Sequence, residues 1–314
     1  MVSEFYAPRF SETGDYLFIE SRPIPKEIEK DTMELKEEKV SLDIWSWTDT
    51  IIQPAQNKNL NQTKENGQKA ILHLNDMKLV ALEENYFDNV SYSLKNVTDW
   101  LAISNNAKSY RSLSWNYPIA EDLSVININT GERKLIAQDI KGFGGVSTGG
   151  KYYYLYDKEK KQWLATEISS AKQIVLNQFK DPVWNVENDV PALPGSYGLA
   201  GWSEEDKSVF IYTQFSVWRV DLDQPENPVL LTPQDKDNPI RYRRHRLDDE
   251  ELFIGTLLTL NAFKEKSKKE GFAVVNTDGN DFKMVHEFED VHYTGSANAK
   301  RGPGKLLRKG TFVN

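Results

Sequence analysis

The sequence predicts an all-β protein made of repeated antiparallel meanders, and three observations carry that prediction. Runs rich in aromatic and β-branched residues recur between short Gly, Asp, Ser and Lys clusters, most clearly over residues 144–176. A polar turn that launches such a run recurs near Gly14, Thr98, Gly149, Asp206 and Asp249. A hydrophobic content of 39%, with eight Trp, fourteen Tyr and fourteen Phe, supplies a largely aromatic core of the kind sheets pack. Repeats of about 40–50 residues, each a four-stranded meander, are the sequence form of propeller blades, which hide their faces only against neighbouring blades. About five units can be counted, two of them stretched by insertions. The expected fold is therefore a partial β-propeller, a fragment of a larger one, spanning 1–314.

The elements follow in order. Pro8 to Asp15 reads as a turn feeding a strand at 16–20. Residues 26–39 form a dense Lys/Glu mixture, an inserted charged loop or short solvated helix. Leu42-Asp43-Ile44-Trp45-Ser46-Trp47 alternates with period two, which predicts a strand with one buried face; Trp45, Trp47 and Trp115 are expected to pack between blades. Residues 57–68 read as polar linker. Hairpins are expected at 70–82 and, around Asn129-Thr130-Gly131-Glu132, at 123–136. The meander at 152–156, 163–168 and 173–176 follows, then strands at 208–212, 216–222, 228–231 and 252–255, and a last hairpin at 271–285.

Composition narrows the function. A net charge of −8 and pI near 5.3 argue against nucleic acid as a general partner. No run approaches the roughly 18 apolar residues of a membrane span. The absence of cysteine excludes disulfides, thiolate metal sites and cysteine catalysis. Neither a cofactor nor a metal is expected.

Several motifs invite chemistry. Gly145-Val146-Ser147-Thr148-Gly149 matches the G-x-S-x-G nucleophile elbow, which needs a buried strand before the serine and a helix after it. Only Ile140 and Phe143 are large and apolar before it, and two glycines and an aromatic strand come after, so Ser147 reads as a turn residue and no catalytic residue is assigned. His73, His245, His286 and His292 show no ligand spacing. The acidic clusters 204–206 and 248–251 could pair carboxylates for glycoside chemistry, but both fall in the repeated turn and read as solvated. Residues 276–281 hint at a calcium loop, yet the glycine is misplaced and a hairpin turn is expected. Arg241-Tyr242-Arg243-Arg244-His245-Arg246 is the one concentrated basic patch. It reads as a blade-to-blade ion-pair strand by default, with Arg241, Arg243 and Arg244 the candidates for contacting a substrate carboxylate at a channel mouth.

Phe10-Ser11-Glu12-Thr13-Gly14-Asp15-Tyr16-Leu17, the IWSWTD string at 44–49 and Ile52-Gln53-Pro54-Ala55-Gln56 resemble a segment of large bacterial prolyl-oligopeptidase-family proteins, the Bacteroidetes type above all. Asp122 to Val125 with Thr130-Gly131-Glu132, and Leu260 to Phe263 with Lys269 to Phe272, fit the same mould. The resemblance implies a β-propeller that caps an α/β-hydrolase serine-peptidase domain and limits access to peptides, in an exported, periplasmic protein. The family's triad lies in the hydrolase domain, so none of its residues carries over. The resulting expectation is a non-catalytic gating propeller whose partners are that hydrolase domain and peptides. A stand-alone interaction scaffold is the alternative, and a propeller glycosidase using Glu204 or Asp249 the third reading.

Overall fold

Five four-stranded antiparallel sheets, each made of four strands consecutive in sequence, form the frame of the described chain: the architecture of a partial β-propeller. The computed structural model describes residues 6–22, 42–85, 87–106, 119–246, 251–289, 291–295 and 307–311. The chain divides into two compact units, 1–141 and 142–314.

In the first unit, β1 (Arg9–Phe10) and β2 (Tyr16–Ser21) are followed by helix α1 (Gln53–Glu65), then β3 (Gln68–His73) and β4 (Leu79–Ala81). The second sheet is β5 (Asp88–Ser91), β6 (Trp100–Asn105), β7 (Glu121–Asn127) and β8 (Arg133–Ile140). Phe18, Ile71 and Val80 of the first sheet meet Val90, Leu101, Ile103 and Ile126 of the second in one buried cluster. Phe18 stacks on Tyr92 at 4.1 Å and 5°. Two carboxylates fasten the connection between these sheets. Glu83 accepts from the Lys69 N–H and Nζ and from the Val90 N–H. Asp88 accepts from the Glu84 N–H, the Asn105 amide and Arg133.

The second unit holds β9 (Gly142–Val146), β10 (Tyr152–Asp157), β11 (Gln162–Glu167) and β12 (Gln173–Val175); then β13 (Leu199–Trp202), β14 (Ser208–Tyr212), β15 (Val217–Asp221) and β16 (Val229–Leu230); then β17 (Ile240–Arg244), β18 (Leu257–Lys264), β19 (Glu270–Asn276) and β20 (Lys283–Glu289). A two-stranded pair, β21 (Val291–Gly295) and β22 (Leu307–Thr311), follows. Strand β14 shows why sheets stack here. All five of its residues are buried, and side chains of a strand alternate between faces. Val209 and Ile211 enter a cluster with Tyr156, Trp163, Ala165 and Ile174 of the preceding sheet. Phe210 and Tyr212 enter another with Tyr242, Leu258, Leu260 and Ala273 of the following one. Each such side chain contributes about 1.5–3 kcal/mol relative to exposure, so the middle sheet is stable only between two neighbours.

The structure corrects several expectations. Residues 42–46 form no strand, because β2 pairs directly with β3 in register Tyr16↔His73 to Ser21↔Gln68. The alternation carries large apolar groups on both faces, and Leu42, Ile44, Trp45 and Trp47 are all exposed, Trp47 at 96%. They make no inter-blade packing; Trp115 lies outside the described residues. Of the 57–68 stretch, 57–65 is helix: Pro54 sits in the first turn, where it is tolerated, and no glycine interrupts the run before Gly67. The charged 26–39 stretch lies outside the described residues. The expected strand at 252–255 reduces to a single bridge between Ile254 and Ser203, and the strands are β17 and β18 instead.

Candidate functional site

Three of the polar turns that launch the meanders share one hydrogen-bond device. Ser11, Ser147 and Ser203 each give their N–H to the carbonyl five residues on, and each Oγ accepts that residue's N–H. Three residues after each serine the backbone is left-handed: Gly14 at φ 78°, Gly150 at 80°, Asp206 at 54°. Glycine adopts this freely and aspartate tolerates it.

Asp206 uses the position to reach the neighbouring sheet. Its carboxylate is 1% exposed and accepts from Ser147 Oγ at 2.6 Å, the Gly149 N–H at 2.8 Å and the Lys151 N–H at 3.1 Å. A Cβ on Gly149 would lie 2.8 Å from Asp206 Oδ2, so only glycine admits the carboxylate. Ser147 itself joins β9 to β10, strand to strand, is 1% exposed and has its hydroxyl committed to Asp206. The motif that resembles a nucleophile elbow is a sheet-to-sheet latch. Solvation was expected of the whole acidic turn; Glu204 and Glu205 are exposed, with Glu205 3.0 Å from Lys207, but Asp206 is buried because it faces a nest of donors. Asp248 and Asp249 lie outside the described residues, and Glu251 pairs with Arg244 at 3.3 Å.

The basic patch falls on β17, and its three candidate arginines have different surroundings. Arg243 donates to the carbonyls of Thr213 and Gln214 and lies 4.6 Å over the Tyr212 ring. Burial lowers its pKa from the ordinary arginine value, against the neighbouring Tyr212. Arg244 donates to the carbonyls of Ala200 and Phe253, and burial lowers its pKa likewise. These two tie the middle sheet to the last. Arg241 is the exposed member, paired with Glu265 at 3.1 Å and lying over Phe263 at 5.0 Å.

His73 is held by the Ile128 carbonyl at 2.8 Å and packs edge-on to Tyr16; His245 and His286 pack against Phe272. His292 is in β21. Residues 276–281 turn between β19 and β20 around Gly279, with Asp278 capping the Asn280 N–H. Among the described residues no group of three His, Asp or Glu side chains could hold a metal ion.

A meander places alternate connections at opposite ends of its sheet. At the end opposite the serine turns, the β14–β15 connection, the 177–198 connection and the β16–β17 connection enclose a cavity of about 330 Å³. Phe215, Pro182, Pro233, Pro239 and Ile240 give it apolar walls, and Asp181, Gln234, Asp235 and Lys236 bring polar groups. Asp181 accepts from Trp218 Nε1 at 3.2 Å and Gln234 Nε2 at 2.5 Å. Arg243, through its bonds to Thr213 and Gln214, holds the connection that presents Phe215. Sequence reasoning missed this site because its residues lie on connections without periodicity. Its only signal is the Pro, Asn and Asp density of 181–195 and 233–239, loops that strands on either side hold in place.

No family model matches the sequence, and no curated protein does. Among solved structures the chain is similar to a prolyl endopeptidase at 10% identity and TM-score 0.47, covering 98% of this chain and 42% of that one. It is similar to the β-propeller domain of the Trilobed protease from Pyrococcus furiosus at 12% identity and TM-score 0.40, covering 66% and 60%. TolB from Acinetobacter baumannii matches at 12% identity and TM-score 0.35, covering 69% and 47%. The chain thus spans less than two thirds of each of these proteins, and the functional reading rests on its own residues.

Proposed function

We propose that this chain is a non-catalytic propeller segment of a prolyl-oligopeptidase-like serine peptidase, gating the access of peptides to an α/β-hydrolase domain of the same parent protein. The observation that carries the reading is the fate of Ser147. The sequence's G-x-S-x-G serine spends its hydroxyl on Asp206 inside a strand–turn–strand latch, and of the residues that resemble the peptidase family 10–17, 122–132 and 260–272 lie in meanders, while 44–49 and 52–56 lie on the connection between β2 and β3. Arg241, whose side chain is 45% exposed, would be the arginine to meet a substrate carboxylate, since Arg243 and Arg244 are committed to backbone carbonyls. Export to the periplasm goes with the same resemblance. No helix among the described residues is long and apolar enough to cross a membrane.

The test is the mass of the native gene product on a gel labelled with a fluorophosphonate probe. A band far heavier than 36.1 kDa that takes the probe, together with an unlabelled isolated chain, is the expected result. An unlabelled native band at the mass of this chain overturns it. That outcome would favour an interaction scaffold, for which the exposed Leu42, Ile44, Trp45 and Trp47 would be the docking surface.

A further inference from the structure

We infer that the cavity around Asp181 is a binding site for a primary ammonium or guanidinium group carried on an apolar body. Three features of the cavity point there. Asp181 is only partly exposed, its carboxylate is met by two neutral donors, and among the described residues it pairs with no cation. A cationic group is the natural further partner of a carboxylate that neutral donors alone meet, and Asp181 lines the cavity. The walls beside it are apolar, lined by Phe215, Ile240 and three prolines. The volume of about 330 Å³ lies within the range of small-ligand sites.

The site is also preorganised. Gln234 Nε2 reaches both Asp181 and Ser216 Oγ, and the Ser216 N–H bonds Thr213 Oγ1, so the connection carrying Phe215 is cross-linked to the carboxylate. Trp218, which donates to Asp181, is itself stacked on Phe179 at 4.6 Å and 4°. Little ordering is left for a ligand to induce. A second carboxylate, Asp235, is held below its ordinary pKa by the Asn238 and Asp237 N–H groups, so the rim stays anionic beside Lys236.

Two sources share this chemistry, a peptide amino terminus and a basic side chain. Titration of the full chain with 2-phenylethylamine, against the neutral 2-phenylethanol, reads the site by calorimetry and by the shift of the Trp218 indole N–H resonance. The amine should bind saturably and at least about tenfold more tightly than the alcohol. Asp181→Asn, which keeps an acceptor for Trp218 and Gln234, should abolish that preference while leaving the fold intact. Phe215→Ala should weaken both ligands alike. Phe-Ala-amide, its N-acetyl form and N-acetyl-lysine amide then separate the sources: binding lost on acetylation assigns the amino terminus, and binding of the lysine derivative assigns the side chain. Equal binding of amine and alcohol, an unchanged preference in Asp181→Asn, or binding of none of these peptides overturns the inference. The outcome is independent of the gating reading, which is decided by the probe-labelled native band.

Discussion

Asp88 in the first unit and Asp206 in the second do the same job by different chemistry. Both are buried carboxylates that fasten chain to chain across a connection. Asp88 meets a cation, Arg133 Nη1 at 3.0 Å, along with the Asn105 amide and the Glu84 N–H. Asp206 meets no cation among the described residues and is satisfied by two backbone N–H groups and a hydroxyl. A buried charge therefore needs either a partner ion or a full set of aimed donors, and the backbone of a tight turn can supply the second. The difference also shows in cost. Asp206 sits at φ 54°, in a conformation that the equivalent Gly14 and Gly150 adopt freely, so the latch is held against backbone strain.

The largest expected effect follows from that. Asp206→Ala leaves three donors without their acceptor and should destabilise the second unit by about 3 kcal/mol. Asp206→Gly loses the same bonds but relieves the left-handed strain, and should be less damaging by about 1 kcal/mol. Urea denaturation followed by tryptophan fluorescence compares the two; a glycine variant no more stable than the alanine variant would show that strain plays no part.

Next in size is the ion-paired counterpart. Arg133→Ala strips Asp88 of its cation and the Leu82 carbonyl of a donor, and should cost about 2 kcal/mol in the first unit. The same pair sets a pH dependence. Burial pushes the Asp88 pKa up, but the Glu84 N–H, the Asn105 amide and Arg133 outweigh it and leave it below the ordinary 3.8. Above 3.8 the group is ionised folded and unfolded, and its stabilisation is complete. As pH falls below that value the unfolded chain takes up the proton first, and the stabilisation fades until the pH passes the folded value. The stability gap between the wild type and Asp88→Asn should thus be constant from neutral pH down to about 4 and shrink below it. A gap that widens on acidification would contradict this assignment.

The strong meanders were legible because their centres follow strand rules. The strands β10, β11 and β14 carry aromatic and β-branched runs, and the turns between them carry Gly, Asp and Ser. The first strand of the third sheet was not. β9 reads GFGGV, poor strand material, yet Gly144 is required because a Cβ there would come within 2.4 Å of the Tyr154 carbonyl oxygen. Propensity counts a glycine against a strand; close approach of the neighbouring strand demands it. Ser147 was legible as a turn residue from the glycines after it, whereas its bond to Asp206 spans 59 positions and has no local signature. The cavity was hidden for the same reason: Asp181, Ser216 and Gln234 are distant in sequence and meet only through the order of the strands.

The smallest expected effect lies where sequence pattern and structure diverge most. Trp47 is 96% exposed and Trp45 is 68% exposed, on a segment whose Asp43 and Asp49 accept from Gln53 and Gln56 at the start of α1. A tryptophan that buries almost nothing contributes almost nothing to folding, so Trp47→Ser should change the stability of the isolated chain by less than about 0.5 kcal/mol. Asp206→Ala, which removes a far smaller side chain, should do several times more, because what counts is the number of satisfied buried groups and not the size of the residue. Denaturation midpoints of the two variants, measured side by side, decide this. A Trp47→Ser loss comparable with that of Asp206→Ala would mean that the tryptophan is covered in solution, and would move the segment from exposed connection to core.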